Sequence, residues 1–219
     1  MVTPSPLSEN ELLESASRIS GKTLQQLAHQ QNLETPEDQL HHKGWVGQLL
    51  ELSLGATAGS LPEPDFQHIG VELKTLPLSK NGTPKESTYV CAINLTQIES
   101  QWETSLVHLK LSRVLWLPVE ADPDIPLAAR RIGSAILWSP NEEQETTLRR
   151  DWEELMELIA TGELEQITAH QGQYLQVRPK AANTKALRKG FNNEGDEILT
   201  LPRGFYLRPS LTKQIIRNL

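Results

Sequence analysis

Hydrophobic and polar residues near the start of the chain recur at helical spacing. Ser8 and Glu11 occupy the N-cap and third positions of a capping box, which predicts a helix that continues to about Arg18. A second short helix is predicted over residues 24–30. Thr35-Pro36-Glu37 is typical of a further helix start, because proline is favoured at the first helical position.

A longer amphipathic helix is predicted over residues 44–54, which read GWVGQLLELSL. Trp45, Leu49 and Leu52 lie at positions i, i+4 and i+7 of this segment and so share one helix face. Gly55 is a plausible end for the helix, since glycine readily adopts the left-handed conformation found there. The glycine- and proline-rich residues 58–64 that follow predict a loop.

Beyond residue 68 the pattern changes to the alternation of β-strands. In the first predicted strand, 69–76, Val71 and Leu73 face one way, and Glu72 and Lys74 face the other. Further strands are predicted over 88–95, 113–119, 132–138, 174–178, 197–201 and 205–208. A hairpin-type turn is predicted at 80–83, a long helix over 139–160 and a last helix over 211–218. This is a mixed α/β pattern in which the 113–119 strand is apolar enough to be central.

The charge of the 219-residue chain is unevenly distributed. Its net charge of −7 argues at first against a nucleic-acid partner. However, residues 178–219 contain nine basic and only three acidic residues, whereas residues 139–165 contain nine acidic and two basic residues. A solvent-exposed helix face explains the acidic segment, while the basic C-terminal segment is a candidate surface for a polyanion.

Other compositional features narrow the class of protein. Cys91 is the only cysteine, which rules out an intrachain disulfide and fits a reducing compartment. No apolar run approaches the roughly 20 residues of a membrane-spanning helix, and the N-terminus lacks the features of a signal peptide. We therefore expect a cytoplasmic protein with no membrane partner.

One acidic and basic cluster could carry out chemistry. Asp65 precedes the predicted strand that holds Glu72 and Lys74, and Glu51 lies on the helix before it, so three carboxylates and a lysine can converge. Oxygen ligands suit Mg²⁺, which polarises a phosphate and acidifies a bound water. The spacing matches the PD-(D/E)xK nuclease motif, with Pro64 preceding Asp65.

This motif is short enough to arise by chance. A glutamate and a lysine on one strand face usually form a solvated pair of little energetic value. The apolar neighbours Val71, Leu73 and Leu76 favour a strand that packs on a core, where a cluster of carboxylates is costly without a metal. The residues alone thus indicate a candidate metal-dependent nuclease.

Longer blocks of sequence extend the similarity well beyond this motif. The chain resembles the MutH family of DNA mismatch-repair endonucleases over nearly its full length. The blocks that carry the resemblance are KGWVGQLLELSLGATAGSLPEPDF (43–66), GVELKTLPL (70–78), LKLSRVLWLPVE (109–120), LWSPNEE (137–143), DWEEL (151–155), YLQVRPKAAN (174–183) and LTLPRGFYL (199–207).

The resemblance implies a restriction-endonuclease-like fold, with a central mixed sheet flanked by helices and two arms that form a DNA cleft. The whole chain, 1–219, would be one nuclease domain with two lobes, with the catalytic motifs in 43–120 and a basic DNA-contacting region in 174–219. The implied activity is Mg²⁺-dependent nicking, with one or two ions, of the unmethylated strand 5′ to G in hemimethylated GATC.

The resemblance also assigns roles to individual residues. The family's metal-binding acids fall on Glu51, Asp65 and Glu72, and its catalytic lysine on Lys74, with no departure from the pattern. Lys110 matches a second lysine linked to activity. The DNA-contacting residues of the family match Lys43, Arg178, Lys180 and Tyr206. Tyr206 would face the adenine N6, where a methyl group changes shape and donor count in the major groove.

The partners implied are double-stranded DNA, the activator MutL and, upstream, MutS, with a monomer expected for the free protein. The MutL-contacting surface is left open between the basic C-terminal helix and the acidic helix within 139–165. Two alternative functions also stay open: a stand-alone GATC-specific restriction endonuclease and a non-catalytic DNA-binding module. The single, short domain argues against the first, and the four matching residues Glu51, Asp65, Glu72 and Lys74 argue against the second.

Overall fold

The computed structural model describes residues 3–36, 42–168, 170–180 and 187–217, with the side chains of all of these except 42 and 43. The helices are α1 Glu9–Ile19, α2 Leu24–Gln30, α3 His42–Leu54, α4 Leu106–Leu111, α5 Glu142–Ala160 and α6 Pro209–Arg217. The strands are β1 Glu72–Leu78, β2 Thr88–Ala92, β3 Val114–Glu120, β4 Ile136–Trp138, β5 Leu175–Pro179, β6 Arg188–Phe191, β7 Glu197–Thr200 and β8 Arg203–Leu207.

The chain forms two compact units. The first unit takes its described residues from 1–85 and 112–139, and the second from 86–111 and 140–218. The polypeptide therefore leaves the first unit after β1, enters the second for β2 and α4, and returns to the first with β3. The expectation of one domain with two lobes stays a prediction.

The first unit contains a mixed sheet with strand order β1-β3-β4. β1 and β3 are parallel, with Glu72 opposite Val114 and Lys74 opposite Trp116, whereas β3 and β4 are antiparallel. β3 is buried along almost its whole length, as its apolar sequence predicts for a central strand.

Three helices cover one face of this sheet because each buries an apolar stripe. Leu12, Ala16 and Ile19 form the buried stripe of α1 at spacings of four and three residues. These residues join Leu49 and Leu50 of α3 in a core with apolar residues of α2 and the sheet, including Leu73, Leu115 and Leu117. Burying each such side chain contributes roughly 1.5–3 kcal/mol.

The second unit contains an antiparallel sheet with strand order β2-β8-β5 and a separate hairpin of β6 and β7. The 19-residue helix α5 begins at Glu142 and is capped by Asn141, whose side chain accepts the backbone N–H of Gln144, while the Gln144 side chain accepts the N–H of Asn141. The buried face of α5 includes Leu148, Trp152 and Leu155. The last helix, α6, buries Leu211 and Ile215.

The start of β1 differs from the prediction. Residues 67–69 form a short 3₁₀ turn, and Gly70 adopts a left-handed conformation with φ of 64°. Phe66 then pairs with Val71 across this turn, so the strand begins at Glu72. The turn keeps Asp65 close to β1 although a few residues separate them along the chain.

The hairpin-type turn signal after β1 marks a turn but not a strand pair. Ser79 donates its N–H to the Thr83 carbonyl, and Gly82 has φ of 70°. The strands on either side, β1 and β2, belong to different sheets. The helix start at Thr35-Pro36-Glu37 falls partly outside the described residues, and Thr35 and Pro36 themselves are irregular.

The architecture confirms the predicted mixed α/β class. Helices α1 and α2, the end of α3, the central position of β3 and the long α5 agree with the sequence patterns. Cys91 is buried, as expected for a small core residue. Within the described ranges, no helix is both long and apolar enough to cross a membrane.

Candidate active site and nucleic-acid interface

The Asp65 side chain is held against the start of β1 by the backbone. The backbone carbonyl of Asp65 accepts the N–H groups of Thr57 and Ala58, at 2.9 and 3.3 Å, and these bonds fix the loop that follows α3. Its carboxylate Oδ2 accepts the N–H of Leu73 at 2.8 Å, and the residue is only 9% exposed. Because Leu73 adjoins Glu72, this bond brings two acidic residues to one end of the strand.

Glu72 and Lys74 form a close ion pair on one face of β1. The Lys74 Nζ donates to the Glu72 Oε1 at 2.6 Å, and the side chains are 12% and 2% exposed. The alternation of the strand places both residues on the face opposite to Leu73, which packs into the helical core. The predicted pair is therefore buried rather than solvated, which removes the main objection to a functional role.

Glu51 lies on α3 and is half-buried. Its Oε1 lies 3.9 Å from the point where a Cβ on Gly47 would stand, so its side chain runs back along its own helix. Among the residues that the structure describes, no three His, Cys, Asp or Glu side chains are grouped so as to hold a metal ion. The structure thus brings Asp65, Glu72 and Lys74 together at the start of β1, while Glu51 lies on α3.

The chemistry of these donors nevertheless fits a hard divalent cation. Asp65 and Glu72 supply carboxylate oxygens, the preferred ligands of Mg²⁺, and both are buried. Buried carboxylates carry a large desolvation penalty that a bound cation offsets. These residues, with Glu51 from the helix that packs on the same core, are the ones that could hold such an ion.

An ion pair braces the backbone beside Glu72. The N–H of Glu72 donates to the carbonyl of Arg113 at 2.9 Å. The Arg113 guanidinium in turn binds Glu9 with two bonds, Nε to Oε1 and Nη2 to Oε2, each 2.7 Å long. This bidentate contact lowers the pKa of the Glu9 carboxyl and raises that of Arg113. The start of α1 is thereby tied to the backbone that pairs with Glu72.

Lys110 belongs to the second unit. It lies in the last turn of α4 and is half-buried. The helix is capped at its start, because Ser105 Oγ accepts the N–H of His108 at 3.1 Å and Glu99 accepts that of Leu106 at 2.9 Å. These caps give Lys110 a fixed backbone.

The second sheet carries a cluster of aromatic and basic side chains, which we call the tyrosine face: Tyr89, Arg178, Lys180 and Tyr206. Tyr89 on β2 lies opposite Tyr206 on β8, and their rings meet edge to face with centroids 5.3 Å apart. Lys180 Nζ donates to the Tyr89 hydroxyl at 2.9 Å and lies 4.5 Å from the ring centroid. Arg178 lies over the Tyr206 ring at 5.9 Å. Three of the predicted DNA-contacting residues therefore meet at one place.

The absence of a side chain at Gly204 makes room for this cluster. A Cβ at this position would lie 2.9 Å from Tyr89 Cε2 and 2.9 Å from the Cys91 carbonyl oxygen. Glycine therefore lets the Tyr89 ring lie over β8. The cationic groups of Arg178 and Lys180 lie over aromatic rings. Both residues are nevertheless exposed, so their charges can contact an anion.

Sequence analysis missed Tyr89. It lies about 90 residues before Arg178 and Lys180, so no local motif links it to them, and in TYVCAINL it resembles an ordinary strand residue. Lys43 lies in α3, but its side chain is outside the described residues, so its predicted role stays a prediction.

Comparisons with known proteins identify related sequences. The family model described as "DNA mismatch repair enzyme MutH" matches residues 54–151, which include Asp65, Glu72, Lys74 and Lys110. A DNA mismatch repair protein MutH of Vibrio vulnificus (strain YJ016) is 53% identical over 216 residues, covering 98% of this chain and 95% of the relative. A MutH protein of Shigella flexneri serotype 5b (strain 8401) is 54% identical over 212 residues, covering 96% and 93%.

These similarities establish the class of activity. The fold is of the restriction-endonuclease-like type, and the enzyme is a hydrolase that cleaves phosphodiester bonds of DNA in mismatch repair. Nucleases of this type use a divalent metal ion, which agrees with the donors at Asp65 and Glu72. With more than half of its residues identical to those relatives over nearly its full length, the chain belongs to the MutH family of DNA mismatch-repair endonucleases.

Proposed function

We propose that this endonuclease nicks the unmethylated strand of hemimethylated GATC sites, on the 5′ side of G, by Mg²⁺-dependent hydrolysis. The observation that carries the proposal is the buried arrangement in which Asp65 binds the backbone of β1 beside the Glu72–Lys74 pair. The same chain presents the tyrosine face with exposed cations. The Asp65, Glu72 and Lys74 arrangement supports phosphodiester chemistry, and the tyrosine face supports recognition of DNA.

The metal ligands in this proposal are Glu51, Asp65 and Glu72, which would hold one or two Mg²⁺ ions. When bound, Mg²⁺ supplies Lewis-acid stabilisation of the phosphate and acidifies a coordinated water. The backbone bond from Leu73 fixes one Asp65 oxygen and so restricts the carboxylate to a narrow range of orientations. Glu51, on the helix that packs in the same core as β1, would supply the third carboxylate.

Lys74 is the proposed catalytic lysine. Its ammonium donates to Glu72 at 2.6 Å, so it already lies beside a proposed metal ligand. From there it would orient the attacking water or stabilise charge that develops on the phosphate oxygens. Lys110, on the capped helix α4, is proposed as a second cation for the same reaction.

The tyrosine face would read the DNA. Adenine presents N6–H₂ and N7 in the major groove, and a methyl group on N6 removes one donor and adds bulk. A rigid ring at Tyr206, held edge to face by Tyr89, would clash with that methyl group on the strand to be cut. Arg178, Lys180 and, at the start of α3, Lys43 would contact phosphates or guanine.

The proposed partners are hemimethylated double-stranded DNA, MutL as the activator and MutS acting through MutL. We propose that the free protein is a monomer and acts in the bacterial cytoplasm on the chromosome. The acidic exposed face of α5 and the basic residues of α6 are the two proposed surfaces for MutL.

A nicking assay on three GATC duplexes tests this function. The duplexes are unmethylated, hemimethylated and fully methylated, and each is incubated with Mg²⁺, with and without MutL. We expect MutL-stimulated nicking confined to unmethylated strands. Vigorous double-strand cleavage without MutL would instead identify a stand-alone restriction enzyme.

A variant links the activity to the proposed site. Asp65→Ala should lose nicking while keeping its affinity for DNA, since the tyrosine face is unaltered. Thr57→Ala keeps the backbone N–H that Thr57 donates to the Asp65 carbonyl, so it is the matched control and should retain nicking. Undiminished nicking by Asp65→Ala would show that the metal site has been assigned to the wrong residues.

A further inference from the structure

We propose that Asp151 is a positioning residue for DNA recognition, because its buried carboxylate fixes the start of β5, the strand that carries Arg178 and pairs with the Tyr206 strand β8. The inference rests on the proposed role of the tyrosine face. Asp151 lies in the middle of α5, within the DWEEL block, and is 1% exposed. No step of the proposed chemistry uses this buried acid.

The Asp151 carboxylate holds the segment that leads into β5. Its Oδ2 accepts three successive backbone N–H groups, from Gln173 at 2.8 Å, Tyr174 at 2.6 Å and Leu175 at 3.0 Å. Its Oδ1 accepts from Arg150 Nη2 at 3.4 Å. Three amides aimed at one oxygen form a strong, directional anchor, since hydrogen bonds to a charged acceptor are about twice as strong as neutral ones.

The backbone just before the Asp151 hydrogen bonds, at Gly172, requires a glycine. Gly172 has φ of 77°, and a Cβ there would lie 1.9 Å from the Leu175 carbonyl oxygen. Any other residue would therefore open the tight turn that points the three amides at Asp151. Glycine and aspartate together define where β5 starts.

The anchor continues directly into the tyrosine face. Leu175, the last of the three donors, pairs with Leu207, and the next pair along the ladder joins Gln176 to Tyr206. The N–H of Arg208 donates to the carbonyl of Tyr174 at 2.7 Å, so the end of β8 is tied to the same segment. β5 and β8, two of the three strands that carry the tyrosine face, are thus both held close to Tyr206.

This anchoring matters for methyl discrimination because a steric test depends on ring position. A misplacement of about 1 Å in a reacting site can cost about 100-fold in rate. Replacing a hydrogen on N6 by a methyl group moves the edge of adenine outward by little more than that displacement, so a ring that shifts by this amount no longer distinguishes the two edges. Removing the charge of Asp151 should therefore weaken the discrimination between methylated and unmethylated strands while nicking persists.

The experiment compares nicking rates of the two strands of a hemimethylated GATC duplex, measured in single turnover at saturating Mg²⁺ and enzyme. Asp151→Asn should lower the ratio of unmethylated-strand to methylated-strand nicking by about tenfold, because the amide keeps part of the geometry. The rate on the unmethylated strand should stay within about twofold of the parent, since the metal ligands are unaltered.

Two further variants separate positioning from general stability. Asp151→Glu keeps the charge but moves the carboxylate outward by one methylene, and it should also lower the ratio, which keeps the test valid if Asp151→Asn does not fold. Met156→Ala, a buried site on the same helix whose side chain makes none of these hydrogen bonds, should lower the melting temperature and leave the ratio unchanged. Amide exchange at 173–175 should accelerate only in the Asp151 variants.

Tyr206→Ser completes the set and separates the two proposals. If Tyr206→Ser lowers the ratio but folded Asp151 variants match the parent, the positioning role is refuted while the proposed function stands. If Tyr206→Ser keeps the parent's ratio, the proposed reading of the adenine edge fails, and the role of Asp151 fails with it. If Met156→Ala lowered the strand-nicking ratio as much as the Asp151 variants do, Asp151 would contribute only to general stability, and the positioning role would be refuted.

Discussion

Separating Glu9 from Arg113 should weaken the first unit by a measurable amount. Glu9→Gln removes one charge with little change in shape, and Arg113→Met keeps the unbranched stem without the guanidinium. A double-mutant cycle of these two changes isolates the coupling of the pair from the other contacts of each residue. The coupling is predicted to be favourable at neutral pH.

The geometry of the Glu9–Arg113 pair determines the size of the coupling free energy. Both bonds are 2.7 Å long, but the side chains are 40% and 33% exposed, so solvent screens part of the interaction. Exposed pairs contribute roughly 0.2–1 kcal/mol, whereas hydrogen bonds between charged groups contribute roughly 1.5–3 kcal/mol. We expect a coupling near the boundary of these ranges, about 1–1.5 kcal/mol. For a protein of this size that corresponds to a fall of about 2–6 °C in melting temperature.

The lowered pKa of Glu9 determines how the stabilising contribution of the pair changes with pH. Arg113 lowers the pKa of Glu9 in the folded protein, so the contribution is fully present above the unfolded value of about 4.3. It is lost as the pH falls through the lower folded value, because the carboxyl then becomes protonated. Urea and thermal unfolding followed by circular dichroism at pH 7 and pH 3.5 measure the coupling. A coupling below about 0.3 kcal/mol at pH 7, or an equal one at pH 3.5, would refute the reasoning.

Three further variants probe the two candidate sites. Tyr89→Phe removes the hydroxyl that accepts from Lys180 but keeps the ring, so DNA affinity measured by fluorescence anisotropy should fall about two- to fivefold. An unchanged affinity would show that the hydroxyl does not position Lys180. Gly204→Ala places a Cβ 2.9 Å from the Cys91 carbonyl, so urea denaturation should give an unfolding free energy lower by about 1–3 kcal/mol, and an unaltered midpoint would contradict the packing. Lys74→Met removes the cation beside Glu72, so single-turnover nicking should slow by about 100-fold or more while binding persists, and a loss under tenfold would argue against a catalytic role.

The sequence predicts the helical first unit well because its signals are local. The cap at Ser8 and the apolar stripe of α1 lie within a few turns of one another, and the structure has the same cap with the Ser8 side chain accepting from Glu11. The strand that carries Glu72 and Lys74 is equally local, since two-residue alternation fixes their common face. Both ends of the strand differ from the predicted 69–76: it begins at Glu72, because the 3₁₀ turn at 67–69 precedes it, and it continues to Leu78.

Features that depend on distant residues were not predictable in the same way. The sequence pattern over Arg188–Phe191 contains glycine and adjacent basic residues, which disguise β6. The pairing of Tyr89 with Tyr206 joins strands more than 100 residues apart. The backbone anchor at Asp151 is likewise invisible, because an aspartate in an acidic helix looks like any solvated charge until its burial is known.

The course of the chain between the two units has a consequence for how the nuclease is made. Glu72 obtains its parallel partner only when Val114 has been synthesised, and the segment Glu86–Leu111 of the other unit emerges first. A ribosome therefore releases the acidic motif long before the strand that braces it. We expect incomplete translation products ending before β3 to be unable to order the motif and hence to leave the chromosome intact. The interleaved chain thus delays a damaging activity until more than half of the chain has been synthesised.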